Sequence, residues 1–413
     1  MNRVAITGIG LIAPGGSSPV EFFRGLIAGQ SQIREIDGLD FERLAGPIAA
    51  PAFLESTTYF AAPKLRMLDR VSQFALVAAR QAVTAAGLQA PDFGGDRCGV
   101  FMGTGMGGAQ TTDDGYRTVY AQQSDRVKPF TVLMAMNNAP AAWIAIELGL
   151  TGPCLTYSTA CSSSAVAIGE AALRIASGQA DVMLAGGAEA PLTFGTLKAW
   201  EALHTLATPD KDDVSASCKP FSENRSGMVL GEGAAVVVLE QWEHAVARGA
   251  NILAEFAGYG LATDIAHLTK PTVVGQAAAM KRALVAAQLQ PHDIHYINAH
   301  GTGTVANDAV ETLAIKDVFG YSAPQIPVSS TKSMHGHLLG AAGALEFIVA
   351  LEALRLRQLP PTMHLHRSDP VCDLDFIPNR ARNVEKIDAV MSNSFAFGGT
   401  NAVLIARRVH DEI

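Results

Sequence analysis

The chain has 413 residues, 48% of them hydrophobic and 17% charged, with a formal net charge of −8. That length supports a large core and either two domains or one duplicated fold. The acidic balance, without a basic run, gives no footprint for nucleic acid, and no run approaches the roughly 20 apolar residues of a membrane span.

In chain order, RVAITGIG at the N-terminus reads as a strand and a Gly turn, because its glycines break the apolar run a signal peptide needs. VSQFALVAARQAVTAAG predicts an amphipathic helix ending at Gly87. GVFMGTG, DVMLAGGAEA and AAVVVLE predict buried strands bounded by glycine. GQAAAMKRALVAAQLQP predicts a further helix stopped before Pro291. The alternation is that of an α/β protein.

Three elements recur in the same order. GVFMGTG echoes YINAHGTGT, STACSSSAVAIGEAALRIASGQ echoes STKSMHGHLLGAAGALEFIVALEAL, and DVMLAGGAEAP echoes AVMSNSFAFGGTNAVLIA. The order predicts a duplicated topology packed as a pseudo-dimer, with an N-terminal half over 1–250 and a C-terminal half over 251–413. Equivalent loops would then meet at the pseudo-two-fold axis and bring Cys161 to His300, Lys332 and His337.

The cysteines are Cys98, Cys154, Cys161, Cys218 and Cys372, an odd set without a CxxC, which predicts a reducing cytoplasm. Only Cys161, in TYSTACSSS, stands at a helix start. There the free N–H groups and the helix dipole favour thiolate and predict a lowered pKa. The other four read as structural. His300 ends a strand before a Gly-Thr-Gly turn, and Thr302 and Thr304 offer hydroxyls to an amide-bearing substrate arm. SSTKSMHGHLLGAAGALE places Lys332, His335 and His337 before an apolar helix in which Glu346 needs a partner if buried. His335, His337 and Cys161 are also a candidate zinc set, but His-x-His beside a glycine, without a matching Cys or Asp pair, argues against it. In SNSFAFGGTNA, Phe395 and Phe397 precede two glycines, where backbone N–H can join that of Cys161 in an oxyanion hole.

Together TACSS, AHGTGT, STKSMxGHLLGAAG and FAFGGTN resemble the β-ketoacyl-acyl carrier protein synthases, most closely the synthase II type. The resemblance runs from VAITGIG to FAFGGTNAVLI. It implies the thiolase fold, in α-β-α-β-α layers, and an acyltransferase that joins malonyl-carrier protein to an acyl chain on Cys161. It implies His300 and His337 beside that cysteine and Lys332 ordering the site through Glu346, with Asp308 and Glu311 as supporting carboxylates. It implies an oxyanion hole from the N–H groups of Cys161 and Phe397, with Phe397 as a gate. Thr302 and Thr304 match positions that hold the phosphopantetheine arm, Met106 matches an acyl-pocket residue, and Phe395 joins the substrate-binding set.

No metal and no other cofactor is implied, since substrates ride on the phosphopantetheine of acyl carrier protein. The expected partners are acyl carrier protein and a second subunit, either a second copy or a chain-length factor. The chain is expected to be a discrete type II subunit of fatty acid or polyketide and polyene biosynthesis. His335 departs from the family, which mostly has a residue such as Thr there; a tolerated substitution is expected ahead of a role in tuning the carrier-arm entrance. Two alternatives stand beside this reading, a non-catalytic chain-length subunit and a thiolase-like enzyme of coenzyme A thioesters. The intact nucleophile argues against the first, and the missing second cysteine in SNSFAFGGTNA argues against the second.

Overall fold

The computed structural model describes residues 1–89 and 93–409. Its main sheet is built from β1 (Val4–Ile12), β2 (Cys98–Gly103), β3 (Cys154–Tyr157), β4 (Val182–Glu189), β5 (Gly233–Gln241), β6 (Ala254–Thr263), β7 (Tyr296–Asn298), β8 (Val328–Ser329), β9 (Ala389–Phe395) and β10 (Thr400–Arg407). Their order is β8-β7-β9-β10-β6-β1-β5-β4-β2-β3. From the centre outward, each side therefore runs first, fifth, fourth, second, third. The two sides join where β1 pairs antiparallel with β6, Val4 opposite Phe256 and Ile6 opposite Ala254.

Strand alternation sorts the core into layers. On β5, Val236 and Val238 pack with helix α1 (Arg70–Ala86), while Ala235, Val237 and Leu239 face a central core. On β10, Val403 and Ile405 pack with α3 (Val273–Ala287), while Ala402, Leu404 and Ala406 face that same central core. The centre is filled by α2 (Ser163–Ala176) and α5 (Ala342–Leu356). Burial on every side, continuous from Ala342 to Leu354, is what the apolar sequence of α5 requires of a helix packed between the two sides of this sheet. The layering is α-β-α-β-α, as expected.

The outer helices lie close on their strands because glycine makes room. A Cβ on Gly10 would come 2.2 Å from the Ala78 carbonyl of α1, and one on Gly260 would come 2.0 Å from the Ala279 carbonyl of α3. α1 ends at a left-handed Gly87, as its sequence predicts. α3 stops earlier than predicted, because Gln288 takes the left-handed cap three residues before Pro291. Among the described residues, no helix is long and apolar enough to cross a membrane.

Candidate active site

β3 leads through Thr159 into a 3-10 turn, Ala160–Ser162, and α2 begins at Ser163. Ala160 is held at φ +51°, an uncommon conformation for a residue with a side chain, and it turns the chain just before Cys161. The elbow sits tight against β2, since a Cβ on Gly103 would lie 2.3 Å from the carbonyl carbon of Ser163. The turn brings Cys161 into the protein rather than out of it; the side chain is 5% exposed.

That burial reverses one expectation. Desolvation pushes the Cys161 thiol up to about 11, against the pull of the Lys332 charge and of the Phe397 backbone N–H. The helix start alone predicted a lowered value; removal from water outweighs it here. At neutral pH the resting group is a thiol.

The second half supplies the neighbours. His300 follows β7, and its backbone N–H donates to Glu311 Oε1 at 2.8 Å, while Gly301 N–H donates to Oε2 at 2.8 Å. Glu311 lies on α4 (Val305–Phe319) and is itself buried, so a carboxylate holds the turn that carries the imidazole. Lys332 Nζ donates to the His300 carbonyl at 2.6 Å and pairs with the buried Glu346 carboxylate. Burial raises Glu346 to about 7, and Lys332 opposes that rise.

His337 Nδ1 accepts a 3.1 Å hydrogen bond from Leu339 N–H, which assigns its proton to Nε2. Among the described residues, His337 Nε2 and His300 Nδ1 have no protein partner. The two rings stand edge-on at 5.4 Å between centroids, and Phe395 meets His300 edge-on at 6.0 Å. Burial, then Lys332, holds both imidazoles well below their usual range, so both are neutral.

The donor atoms of Cys161, His300 and His337 all lie within 4.8 Å of one another. The zinc set considered above is not the one assembled: His300 takes the place of His335. His335 instead turns its Nε2 to Thr331 Oγ1 at 2.9 Å and packs near Phe22. The buried Lys332 ammonium also counts against a second cation beside these atoms.

A cavity of about 50 Å³ opens onto this group, lined also by Thr302, Thr304, Phe395 and Phe397, with Leu268 and Lys270 at the loop beside it. Clefts of about 650 and 640 Å³ lie elsewhere, but neither contains a cysteine or histidine. Thr302 and Thr304 hydroxyls are 2.9 Å apart, and Thr304 also caps α4 by accepting the Asn307 N–H. Met106 does not line this cavity and is 40% exposed. Asp308 stands apart from the imidazoles; it accepts the Phe221 N–H at 2.8 Å and faces Arg225.

The family model "Beta-ketoacyl synthase, N-terminal domain" matches residues 1–245, and "Beta-ketoacyl synthase, C-terminal domain" matches 253–366. The chain belongs to the β-ketoacyl synthase family. It is 45% identical over 407 residues to Nodulation protein E of Rhizobium leguminosarum bv. trifolii, covering 98% of this chain and 99% of that one. It is 40% identical over 412 residues to 3-oxoacyl-[acyl-carrier-protein] synthase 2 of Staphylococcus aureus (strain N315), covering 98% of each. The solved ishigamide ketosynthase/chain length factor superposes with a TM-score of 0.93 at 36% identity, over 99% of this chain and 100% of that one. The layered architecture is thus the thiolase fold of the ketosynthases.

Two residues of this β-ketoacyl synthase site carry no motif signal. Trp200 stacks on Phe397 with centroids 6.1 Å apart and backs the loop that carries the proposed gate. Glu189, at the end of β4, is buried and accepts hydrogen bonds from both halves of the site. Its carboxylate in DVMLAGGAEA is an acid among small apolar residues, the one signal the sequence offered.

Proposed function

We propose that this synthase performs decarboxylative Claisen condensation on Cys161, extending an acyl chain with a malonyl unit carried on acyl carrier protein. One observation carries the reading: a buried cysteine and two neutral imidazoles from opposite halves of the chain converge within 4.8 Å.

The chemistry follows from the groups. The Cys161 sulfur attacks the acyl thioester carbonyl, and the N–H groups of Cys161 and Phe397 receive the oxyanion. Collapse expels the phosphopantetheine sulfur, which leaves with the proton that Cys161 gives up. Malonyl-carrier protein enters next, its arm held by Thr302 and Thr304, with Phe395 at the wall. The His337 Nε2–H, with His300, donates to the malonyl thioester carbonyl. The carbon–carbon bond to the carboxylate breaks, CO₂ leaves, and its electron pair becomes the enolate. The enolate carbon attacks the Cys161 thioester. The second oxyanion collapses to the β-ketoacyl product, and Cys161 leaves as thiolate and takes up a proton. The electron pair comes from the malonyl carboxylate, so we infer that no metal or redox cofactor takes part.

Lys332, Glu346, Glu311 and Asp308 act through position. The first two brace His300 from its carbonyl, Glu311 from its N–H, and Asp308 ties the Phe221 loop to α4. The repeated strand order supports a division into halves at about residue 250.

We also propose a second subunit on β3. This outermost strand has an exposed edge, whereas β8 at the opposite end is buried. In the segment that precedes it, Phe130, Val132, Leu133, Met136 and Ile146 are exposed, apolar side chains that call for cover. A second copy satisfies it by two-fold symmetry; a chain-length factor, named in the solved relative, is the other candidate. The five free cysteines agree with a reducing, cytoplasmic setting.

Intact-mass measurement after incubation with saturated and polyunsaturated acyl-carrier proteins tests the function. A gain of one acyl group, absent in Cys161→Ala, supports it, and the chain preferred separates fatty acid from specialised pathways. No gain with any donor, with or without a chain-length factor, overturns it.

A further inference from the structure

Glu189 has no part in the steps above, yet its side chain is fully buried beside them. Oε2 accepts the N–H of Gly105 at 2.7 Å and of Gly340 at 2.8 Å; Oε1 accepts the N–H of Met106 at 2.8 Å and the Thr104 hydroxyl at 3.2 Å. One carboxylate thus joins the loop after β2, from the first half, to the turn after His337, from the second. Missing side chains make its room. A Cβ on Gly340 would lie 2.6 Å from Oε2, and one on Gly105 would lie 3.1 Å from it. Four donors aimed at two oxygens favour an acceptor-only group, which the ionised carboxylate is and an amide is not, and they pull against the burial that raises Glu189 to about 7.

The bond to Gly340 bears on the imidazole. Leu339 is held at φ +45°, and its own N–H donates to His337 Nδ1. A left-handed leucine persists only where its surroundings over-determine it. Both peptides that flank it are fixed, one by His337 Nδ1 and the other by Glu189.

We propose that Glu189 is a positioning residue for the condensation: it holds the Leu339–Gly340 peptide so that Leu339 N–H stays on His337 Nδ1 and the proton stays on Nε2. This rests on the reading of His337 as donor to the malonyl carbonyl. The same carboxylate ties that turn to the Met106 loop, so the proton donor and the loop after β2 share one anchor.

The test uses the full chain labelled with ¹⁵N-histidine, with His337→Asn to assign the signal. The wild type is expected to show His337 with a bare Nδ1 and a protonated Nε2, and Glu189→Gln a mixture of tautomers. In parallel, Glu189→Gln is expected to lower kcat for condensation at least about tenfold. Its KM for malonyl-carrier protein and its rate of Cys161 acylation should stay within about twofold of wild type. A wild-type His337 protonated at Nδ1 overturns the proposal whatever the variant does. So does an unchanged tautomer in Glu189→Gln, or a parallel fall of acylation and condensation with the thermal midpoint. If the wild type neither acylates nor condenses, the functional reading fails, while the tautomer comparison still decides whether Glu189 sets the His337 proton.

Discussion

Lys332 Nζ hydrogen-bonds the backbone carbonyl of His300 at 2.6 Å while its charge rests against Glu346. A side chain from the turn before α5 therefore fixes a main-chain atom at the end of β7. Both ions are fully buried, so removing one strands the other. Lys332→Met is expected to cost about 3–5 kcal/mol in urea unfolding. Lys332→Met with Glu346→Leu is expected to recover most of that stability without recovering condensation. A double variant no more stable than the single one would mean that the ion pair does not set the cost.

Burial predicts the reactivity of Cys161. With the Cys161 thiol pushed up to about 11, its alkylation by iodoacetamide should rise steadily from pH 7 to pH 10. A plateau beginning near pH 7 would show that the helix start and Lys332 outweigh desolvation. Cys161→Ala identifies the reacting site by mass.

The histidines set an acid limit. His300 and His337 are held well below 6.5, and His335 is lowered to about 3 by burial. Each is neutral in the fold and takes up a proton when unfolded below pH 6.5. Stability from each group is therefore present above that pH and falls by about 1.4 kcal/mol per unit below it. Glu189 and Glu346, raised to about 7, work the other way between pH 7 and 4.5, where the fold binds their protons first. These two carboxylates, with Asp308 raised to about 6, offset much of the histidine loss down to about pH 4.5; below it the histidine loss adds to that of carboxylates held below their usual range, Asp210, Glu240 and Glu255 among them. His335→Asn should flatten the pH dependence of urea stability below pH 6.5 by about that slope. An unaltered slope would mean that His335 is protonated in the fold.

Close approach at the elbow makes Gly103 intolerant of a side chain. In Gly103→Ala the new Cβ meets backbone at Ser163 and Ser164, which cannot rotate away. A loss of about 1–3 kcal/mol or more is expected, with Cys161 acylation lost along with it. Thermal unfolding and acyl transfer measured on the same sample check both; wild-type values for either would show that the elbow can shift.

The stacked pair at the loop tip predicts a softer effect. Trp200→Ala removes the support of the Phe397 ring, worth about 0.5–1.5 kcal/mol beyond its area. Hydrolysis of the acyl-Cys161 intermediate should rise, because water gains entry past Phe397. Unchanged hydrolysis, read by loss of acyl mass with time, would remove Trp200 from the gate.

Alternation and glycine punctuation by themselves determined the α/β class, the strand that starts the chain, the helix that ends at Gly87 and the echo between halves. Motif residues stood out because each is a local pattern: Cys161 before a helix, His300 before Gly-Thr-Gly, Lys332 and His337 before an apolar run. Only the tertiary structure decided what those residues are in water's absence. Cys161 becomes a thiol and not a thiolate, and the imidazoles become neutral, because desolvation sums over neighbours from both halves. His335 and His337 are two residues apart, yet one faces Thr331 and the other the cavity, a choice made by the turn at Gly336. Glu189 and Trp200 were hidden because their partners lie 83 or more residues away, beyond any local pattern.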